Sequence, residues 1–155
     1  MLCAFVKIGD ILYLLRHGDA EHESAEDFAR RLTPKGERQS RAAGAALAAL
    51  GADLDACLTS PKVRAAETAR LACQALPGIE PEIAPQLEGG EFDSLALSAG
   101  RGNVLLVGHE PDFSDEVARL TGAKVKLRKG GLAILEPSML HALLRPKDLK
   151  RIAAS

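Results

Sequence analysis

The sequence is poor in aromatic residues. Its 155 residues include no Trp and one Tyr, and aromatic residues make up 3% of the chain. Proteins that bind single-stranded nucleic acid stack the bases on aromatic side chains, and this composition argues against such a platform. The core must therefore be built mainly from Leu, Val, Ile and Ala.

Cysteine is also scarce. Cys3, Cys57 and Cys73 are far apart, and none belongs to a Cys-x-x-Cys pair. An odd number of widely spaced cysteines argues against both a disulfide framework and a zinc site. We therefore expect no structural metal and a reducing, cytoplasmic environment.

Neither sign of charge dominates, since 20 Lys and Arg stand against 21 Asp and Glu for a formal net charge of -1. This balance provides no broad basic surface for nucleic acid or an anionic membrane. Long apolar runs are missing too, because Lys7, Asp10 and Arg16 interrupt the N-terminal apolar stretch before a membrane span could form. The length predicts a single domain over residues 1–155.

Apolar runs alternate with helix signals along the first two-thirds of the chain. Residues 11–15 and 104–107 have the pattern of strands buried on both faces. Thr33-Pro34 and Gly51 mark the N-cap and the C-cap of an Ala-rich helix, and Ser60-Pro61 marks the start of the next helix. This order predicts a three-layer α/β/α sandwich around a mostly parallel sheet.

The last third has a different pattern. Val125 and Leu127, a turn at 129–131 and the run 132–135 predict a hairpin, and 140–144 predicts a further strand. The basic residues of this hairpin would form its exposed face and turn, with docking of an acidic partner as the alternative. They are Lys124, Lys126, Arg128 and Lys129.

Charged and imidazole side chains follow three of the predicted strands. Arg16-His17 and His109 end two of them, and Arg64 lies in the first turn of the helix after a third. Ligands of open α/β sheets bind beyond the carboxyl ends of the strands. Guanidinium groups bind phosphate in bidentate geometry, and a neutral imidazole can attack phosphorus without a metal. The pattern predicts a phosphoryl-transfer site in which either His17 or His109 is the nucleophile.

Four segments, in this order and spacing, resemble the histidine phosphatase superfamily, which includes the phosphoglycerate mutases. Within that superfamily, the short chain most resembles the small SixA-type phosphohistidine phosphatases. The resemblance extends from about residue 11 to about residue 149. The segments are Arg16-His17-Gly18, Leu32-Thr33-Pro34-Lys35-Gly36, Ser60-Pro61-Lys62-Val63-Arg64-Ala65-Ala66-Glu67-Thr68 and Val107-Gly108-His109.

The resemblance implies a role for each matched residue. His17 would be the nucleophile, Arg16 and Arg64 would bind the phosphoryl oxygens, and His109 would hydrogen-bond the transferring group. Larger members place a catalytic Glu in the region matching residues 87–91, where Glu88 is our first choice. Glu91 and Asp19 remain alternatives as the general acid. The family also implies a phosphoglycerate mutase-like fold with a mixed sheet and no metal or organic cofactor.

We therefore predict a phosphatase that removes phosphate from phosphohistidine in a protein. A small-molecule phosphomonoesterase and an inactive phosphate-binding module are the alternatives. Ser60 is interpreted as a helix N-cap rather than a nucleophile, because no G-x-S-x-G motif surrounds it. The acidic connection after His17 is interpreted as solvated, and its members are Glu21, Glu23, Glu26 and Asp27.

Overall fold

The computed structural model describes residues 10–22 and 26–155, so Cys3 and Glu23 lie outside the described residues. Within these residues the chain forms six strands and five α-helices, which alternate up to the last two strands, consecutive in the chain. Short 3-10 helices lie at Asp27–Ala29 and Pro85–Leu87. The strands are β1 (Leu12–Arg16), β2 (Ala56–Thr59), β3 (Pro81–Ile83), β4 (Val104–Gly108), β5 (Leu132–Glu136) and β6 (Met139–Leu144). The helices are α1 (Pro34–Ala49), α2 (Val63–Cys73), α3 (Ser94–Ser98), α4 (Asp112–Thr121) and α5 (Pro146–Ala154).

The strands form one mixed sheet in the order β3-β2-β4-β1-β5-β6. The first four strands run parallel, with β4 between β1 and β2, whereas β5 and β6 pair antiparallel at one side. The prediction of a mostly parallel sheet is confirmed. Because β1 and β4 are neighbours, their carboxyl ends lie side by side at one edge of the sheet.

Apolar side chains of β1 alternate between two packed layers. Tyr13 and Leu15 belong to the core beneath α1, α2 and α5, whereas Leu12 and Leu14 belong to the core that includes Phe113 of α4. A strand buried on both faces needs apolar residues at every position, which explains the continuous apolar run. The α/β/α sandwich is thus confirmed.

The two helix starts differ in how well the sequence predicted them. Thr33 caps α1 as predicted, since its side chain accepts a hydrogen bond from the N–H of Gly36. Its C-cap is Leu50, one residue before the predicted C-cap Gly51, which follows the helix at φ 71°. The predicted start of α2 is wrong, because the helix begins at Val63 with Lys62 as N-cap and Ser60 precedes both.

The predicted strand at Val125 and Leu127 is wrong. Exposed Lys and Arg alternate there with the half-buried Val125 and the buried Leu127, but residues 122–128 form no strand. The backbone of Leu127 bonds to side chains instead, since its carbonyl accepts from Arg16 Nη1 at 2.9 Å and its N–H donates to Glu110 at 3.2 Å. The hairpin of the last third is formed by β5 and β6.

Helix α5 was not predicted. It starts at Pro146, and the Asp148 carboxylate caps its N-terminus by accepting from the backbone N–H and the guanidinium of Arg145. Its buried residue Leu149 packs into the same core as Leu47 of α1. The helix therefore covers the sheet beside α1 and extends that outer layer.

Candidate active site

The parallel pairing of β1 with β4 brings the two predicted histidines together. Arg16, the last residue of β1, is in register with Gly108, the last residue of β4. His17 and His109 each follow their strand by one residue, and their ring centroids lie 5.3 Å apart. The predicted convergence of the two strand ends is thus present in the structure.

His17 is held in one tautomer. Its Nδ1 lies 2.8 Å from the carbonyl oxygen of Gly18, and because a carbonyl can only accept, Nδ1 carries the proton. Burial, followed by the charges of Arg64, Arg16 and Arg30, lowers the pKa of His17 to about 4, against the opposing effect of the Gly18 hydrogen bond. At neutral pH the ring is therefore neutral, and Nε2 carries a free lone pair.

His109 is also neutral and is oriented by Ser60. Burial, together with His17, Arg64 and Lys62, lowers the pKa of His109 to about 3. The Ser60 Oγ accepts from the N–H of Lys62 at 3.2 Å and lies 2.8 Å from His109 Nε2. The Ser60 hydroxyl can donate to Nε2, which leaves the proton of His109 on Nδ1. Ser60, predicted as an N-cap, thus lies beside the site as a positioning residue.

The two predicted arginines add positive charge and unsatisfied donors. Arg64 is buried in the first turn of α2, with 6% of its side chain exposed. Among the described residues, Arg16 Nε, Arg64 Nε and His109 Nδ1 are buried without a hydrogen-bond partner. Leaving a buried donor unpaired costs about 1–3 kcal/mol. Such donors suit a site that binds an anion.

Asp27 lies against this positive environment, although its side chain is exposed, as the interpretation of the acidic connection as solvated predicts. Its backbone carbonyl accepts from Arg64 Nη1 at 2.8 Å, and its Oδ2 lies 3.4 Å from Arg64 Nη2 and 3.2 Å from Lys62 Nζ. Arg30 Nε lies 3.2 Å from Oδ1. Hydrogen bonding from Lys62 is the main cause that lowers the pKa of Asp27. A carboxylate thus lies against three cations.

Arg30 and Lys62 were missed as members of the site. The charge of Arg30 lowers the pKa values of both His17 and Arg64, and Lys62 lowers that of His109. Lys62 lies within the family-like segment 60–68, two residues before Arg64, so its membership of the site could have been predicted from that position. No local pattern distinguishes Arg30 from the other charges of its connection.

The chain after His17 packs backbone against backbone on the start of α1. A Cβ at Gly18 would lie 2.6 Å from the carbonyl oxygen of Gly36, and a Cβ at Gly36 would clash with the carbonyl oxygen of Asp19. The N–H of Gly18 donates to Thr68 Oγ1 at 3.0 Å, which ties the same point to α2. This contact fixes the loop that carries His17.

The three candidate acids lie in different surroundings. Asp19 accepts a 2.7 Å hydrogen bond from the Thr33 hydroxyl, which is the main reason its pKa is lowered, so it is a poor proton donor. Glu88 and Glu91 are exposed, and neither carboxylate forms an ion pair or hydrogen bond with other described residues. They remain predictions as acids.

Asp112 is a further carboxyl group close in sequence to His109. It begins α4 three residues after His109 and accepts a hydrogen bond from the N–H of Gly90 at 3.2 Å. Burial is the largest cause that raises the pKa of Asp112, and the charges of Asp115 and Glu110 add to it. A raised pKa suits a general acid, and no motif in the sequence pointed to Asp112 in that role.

The described part of the chain holds no group of three or more His, Cys, Asp or Glu side chains arranged for a metal ion. Cys57 and Cys73 are free and buried. Within the same residues, no helix is long and apolar enough to span a membrane. The site combines two neutral imidazoles with surrounding guanidinium and ammonium groups. The cations can bind a phosphoryl group, and a neutral imidazole can attack its phosphorus atom.

Comparison with known families agrees with this geometry. Residues 12–96 match the model of the histidine phosphatase superfamily (branch 1). The chain is also 34% identical over 134 residues to an uncharacterized protein of Picosynechococcus sp., covering 78% of this chain and 81% of that protein. The chain belongs to the histidine phosphatase superfamily.

Solved structures share the fold. The protein histidine phosphatase SixA, solved with tungstate, is 26% identical, with a TM-score of 0.78 over 90% of this chain and 99% of that chain. A protein of Agrobacterium tumefaciens proposed to be a SixA phosphohistidine phosphatase has a TM-score of 0.82 at 23% identity, over 90% of this chain and 100% of that chain. The alpha-ribazole phosphatase of Shigella flexneri has a TM-score of 0.70 at 19% identity, over 88% of this chain and 96% of that chain. The phosphoglycerate mutase-like fold is confirmed, and the solved neighbours act on different substrates.

Proposed function

We propose that this protein is a metal-independent phosphatase that removes phosphate from phosphohistidine in a protein, through a covalent intermediate on His17. The observation that carries the proposal is the hydrogen bond from His17 Nδ1 to the Gly18 carbonyl, which frees Nε2 beside Arg16 and Arg64. The lone pair of Nε2 attacks phosphorus, and the bond from phosphorus to the substrate imidazole breaks. The substrate imidazole, already protonated on its other ring nitrogen, takes the electron pair of the broken P–N bond and leaves as neutral imidazole. Water then attacks the phosphorus on His17, the bond to Nε2 breaks, and phosphate is released with the protons of that water.

The leaving group favours phosphohistidine over an alkyl ester. An alkoxide must be protonated as it leaves, and a well-placed acid contributes about 10²–10⁴-fold in rate. Imidazole leaves readily once its ring is protonated. Because Asp19 is held in its ionised form and Glu88 and Glu91 are exposed, the site suits the easier leaving group. The 26% identity to the protein histidine phosphatase SixA supports the same choice.

A small-molecule phosphomonoesterase is the second candidate. The structural similarity to an alpha-ribazole phosphatase favours it, since the same fold there serves a small substrate. In that case a carboxyl group must protonate the leaving oxygen, and Asp112 with its raised pKa is the described residue best suited to do so.

Trapping the intermediate tests the proposal. The protein is mixed with a phosphohistidine protein, 4-nitrophenyl phosphate or a sugar phosphate, in buffer containing a chelator, and quenched in alkali. We expect an acid-labile, alkali-stable phosphoryl group on His17 and the highest kcat/KM for the phosphohistidine protein. His17→Ala should fold normally yet lose both the phosphoryl group and turnover. The nearby Ser60 hydroxyl cannot replace the nucleophile, because His109 Nε2 and the Lys62 N–H already engage it and His109, with a pKa of about 3, is too weak a base to activate it.

Other outcomes select the alternatives. A sugar phosphate as the best substrate would favour the small-molecule phosphomonoesterase. Binding of phosphate with neither turnover nor a phosphoenzyme would favour an inactive phosphate-binding module. Activity lost in the chelator and restored by a metal would overturn the metal-independent mechanism.

A further inference from the structure

An open groove of about 790 Å³ lies between α1, α5 and the segment before β5. Six cationic side chains and no carboxylate line it, although the whole chain has a net charge of -1. Gln39, Ala42 and Pro146 complete the lining. We call it the basic groove, and its cations are Lys35, Arg38, Arg128, Arg145, Lys147 and Lys150.

Most of this charge is not neutralised within the protein. Arg145 forms a bidentate pair with Asp148, at 2.9 and 3.0 Å. The other five cations of the basic groove form no ion pair within 4.0 Å with any carboxylate of the described residues. Like charges that share a groove repel one another, and a complementary anionic surface would relieve that repulsion.

The basic groove begins next to the nucleophile. The Gln39 side chain, which lines it, accepts a 2.8 Å hydrogen bond from the N–H of Asp19, two residues after His17. The N–H of Gly130 donates to the carbonyl of His17 at 2.9 Å, and the added Cβ of Gly130 would touch Gln39. A macromolecule seated in the groove would therefore lie beside the chain that carries His17.

The positions of the cations follow from two helices. Lys35, Arg38 and Gln39 recur at the spacing of one face of α1, and Lys147 and Lys150 do so on α5. Residues three or four apart lie on the same face of a helix. Since α1 and α5 pack side by side, the two faces form one continuous surface rather than scattered charges.

We infer that the basic groove docks an acidic surface of the phosphorylated protein substrate, so that its phosphohistidine reaches His17. This inference rests on the proposed function, to which it adds the mode of substrate recognition. Complementary charge at such a distance from the chemistry raises the rate of encounter more than it changes the chemical step. The expected effect is therefore on KM rather than on kcat.

The lining favours a protein over a nucleic acid. It contains no aromatic side chain on which a base could stack. The opposite charge is found around α3 and α4, where Glu91, Asp93, Asp112 and Asp115 line another depression. These carboxylates would repel a long polyanion such as a nucleic acid that extended beyond the basic groove. An acidic patch on a protein can be small enough to contact the basic groove alone.

A pair of double variants with equal charge change tests the inference. Arg38→Glu/Lys150→Glu reverses two cations of the basic groove, and Arg101→Glu/Lys124→Glu reverses two exposed cations outside its lining. Thermal unfolding of each is compared with wild type. Steady-state kinetics then use an acidic phosphohistidine protein, free phosphohistidine and 4-nitrophenyl phosphate, at low and at physiological salt.

We expect the groove variant to raise KM for the acidic phosphohistidine protein about tenfold at low salt, with kcat little changed. Added salt should reduce this difference, because it screens exposed charges. Turnover of free phosphohistidine and 4-nitrophenyl phosphate should match wild type. The control variant should match wild type in the kinetics of all three substrates, although its thermal stability falls because Arg101 loses its ion pair with Glu82. Equal kinetics for the two double variants on the protein substrate would overturn the docking role.

Two further results separate this inference from the proposed function. If wild type hydrolyses 4-nitrophenyl phosphate but neither phosphohistidine substrate, the proposed function fails and the docking role falls with it. If the phosphohistidine protein is a good substrate and inorganic polyphosphate or single-stranded RNA competes far better than an unphosphorylated acidic protein, only the assignment to a protein partner is overturned.

Discussion

Arg64 and Asp27 are joined through both the backbone and the side chain of the acidic residue. Arg64 Nη1 donates to the Asp27 carbonyl at 2.8 Å, and Nη2 lies 3.4 Å from Oδ2. The Asp27 side chain is 60% exposed, whereas that of Arg64 is 6% exposed. A phosphoryl group that binds Arg64 must approach next to this negative charge.

Removing the Asp27 carboxylate should tighten phosphate binding. In Asp27→Asn the backbone contact to Arg64 remains, but the charge that competes with the phosphoryl group is lost. An exposed ion pair is worth about 1 kcal/mol or less, so we expect the inhibition constant of inorganic phosphate to fall by up to about fivefold. Inhibition of 4-nitrophenyl phosphate turnover measures it.

Glu80→Gln is the matched control, because Glu80 is exposed and its substitution removes the same unit of charge as Asp27→Asn. It should leave phosphate inhibition unchanged. Weaker inhibition in Asp27→Asn than in wild type would mean that Asp27 supports Arg64 rather than competing for it.

The arginines should contribute strongly to turnover. Arg64→Ala or Arg16→Ala removes charge stabilisation of about 3 kcal/mol or more, about a hundredfold in kcat/KM. Arg64→Lys should restore only part of it, because an ammonium cannot bind two phosphoryl oxygens in the planar geometry of guanidinium. Arg70→Ala is the control on the same helix, where Arg70 is exposed and paired with Glu67. Wild-type kcat/KM in either Ala variant would remove that arginine from the site.

The imidazole of His17 should titrate at acid pH. Its pKa is lowered from 6.5 to about 4, mainly by burial and then by Arg64, Arg16 and Arg30. ¹⁵N NMR of histidine-labelled protein should show His17 neutral at pH 6 and protonated as the pH falls through about 4. Arg64→Ala should raise this midpoint. A His17 midpoint near 6.5 in wild type would contradict the buried, cation-flanked environment.

The same shift predicts how stability depends on pH. An unfolded chain binds a proton on this histidine below about pH 6.5, whereas the folded protein does so only near pH 4. Protons therefore favour the unfolded state in that window, and the free energy of unfolding should fall as the pH is lowered through it. Urea unfolding measures this dependence, and His17→Ala should weaken it.

Carboxyl variants should separate the two classes of substrate. Glu88→Gln, Glu91→Gln and Asp112→Asn are compared on an alkyl phosphate and on phosphohistidine. We expect Glu88→Gln or Asp112→Asn to reduce kcat/KM for the alkyl phosphate about 10²-fold or more and that for phosphohistidine much less, because only an alkoxide needs a strong proton donor. Unchanged kcat/KM ratios in all three variants would exclude these carboxyl groups as the general acid.

The sequence predicted the parts of the site that depend on strand ends. His17 and His109 each follow a run of apolar residues, so their strands could be recognised, and parallel packing brings such ends to one edge. The role of Arg64 could be expected only together with the Ser60-Pro61 segment, because an isolated helical Arg is more often paired at the surface.

Other parts depend on contacts between distant residues. Residues 122–128 have the alternation of a strand, but Leu127 bonds to Arg16 and Glu110 rather than to a neighbouring strand. Helix α5 is short and owes its place to packing on α1, and Asp27 acquires its role only where Arg64, Lys62 and Arg30 meet. No local pattern encodes such partners.

The contact of Gly18 with Gly36 limits how this protein could be redesigned. Because the two backbones touch, with 2.6 Å between an added Cβ and the Gly36 carbonyl oxygen, no side chain at Gly18 could be introduced to reshape the pocket. The position of His17 is set by main-chain geometry, which a substitution at Gly18 can disrupt but cannot adjust gradually. Changes in substrate preference must instead come from the surrounding segments, which are the acidic connection after His17 and the cationic residues before β5.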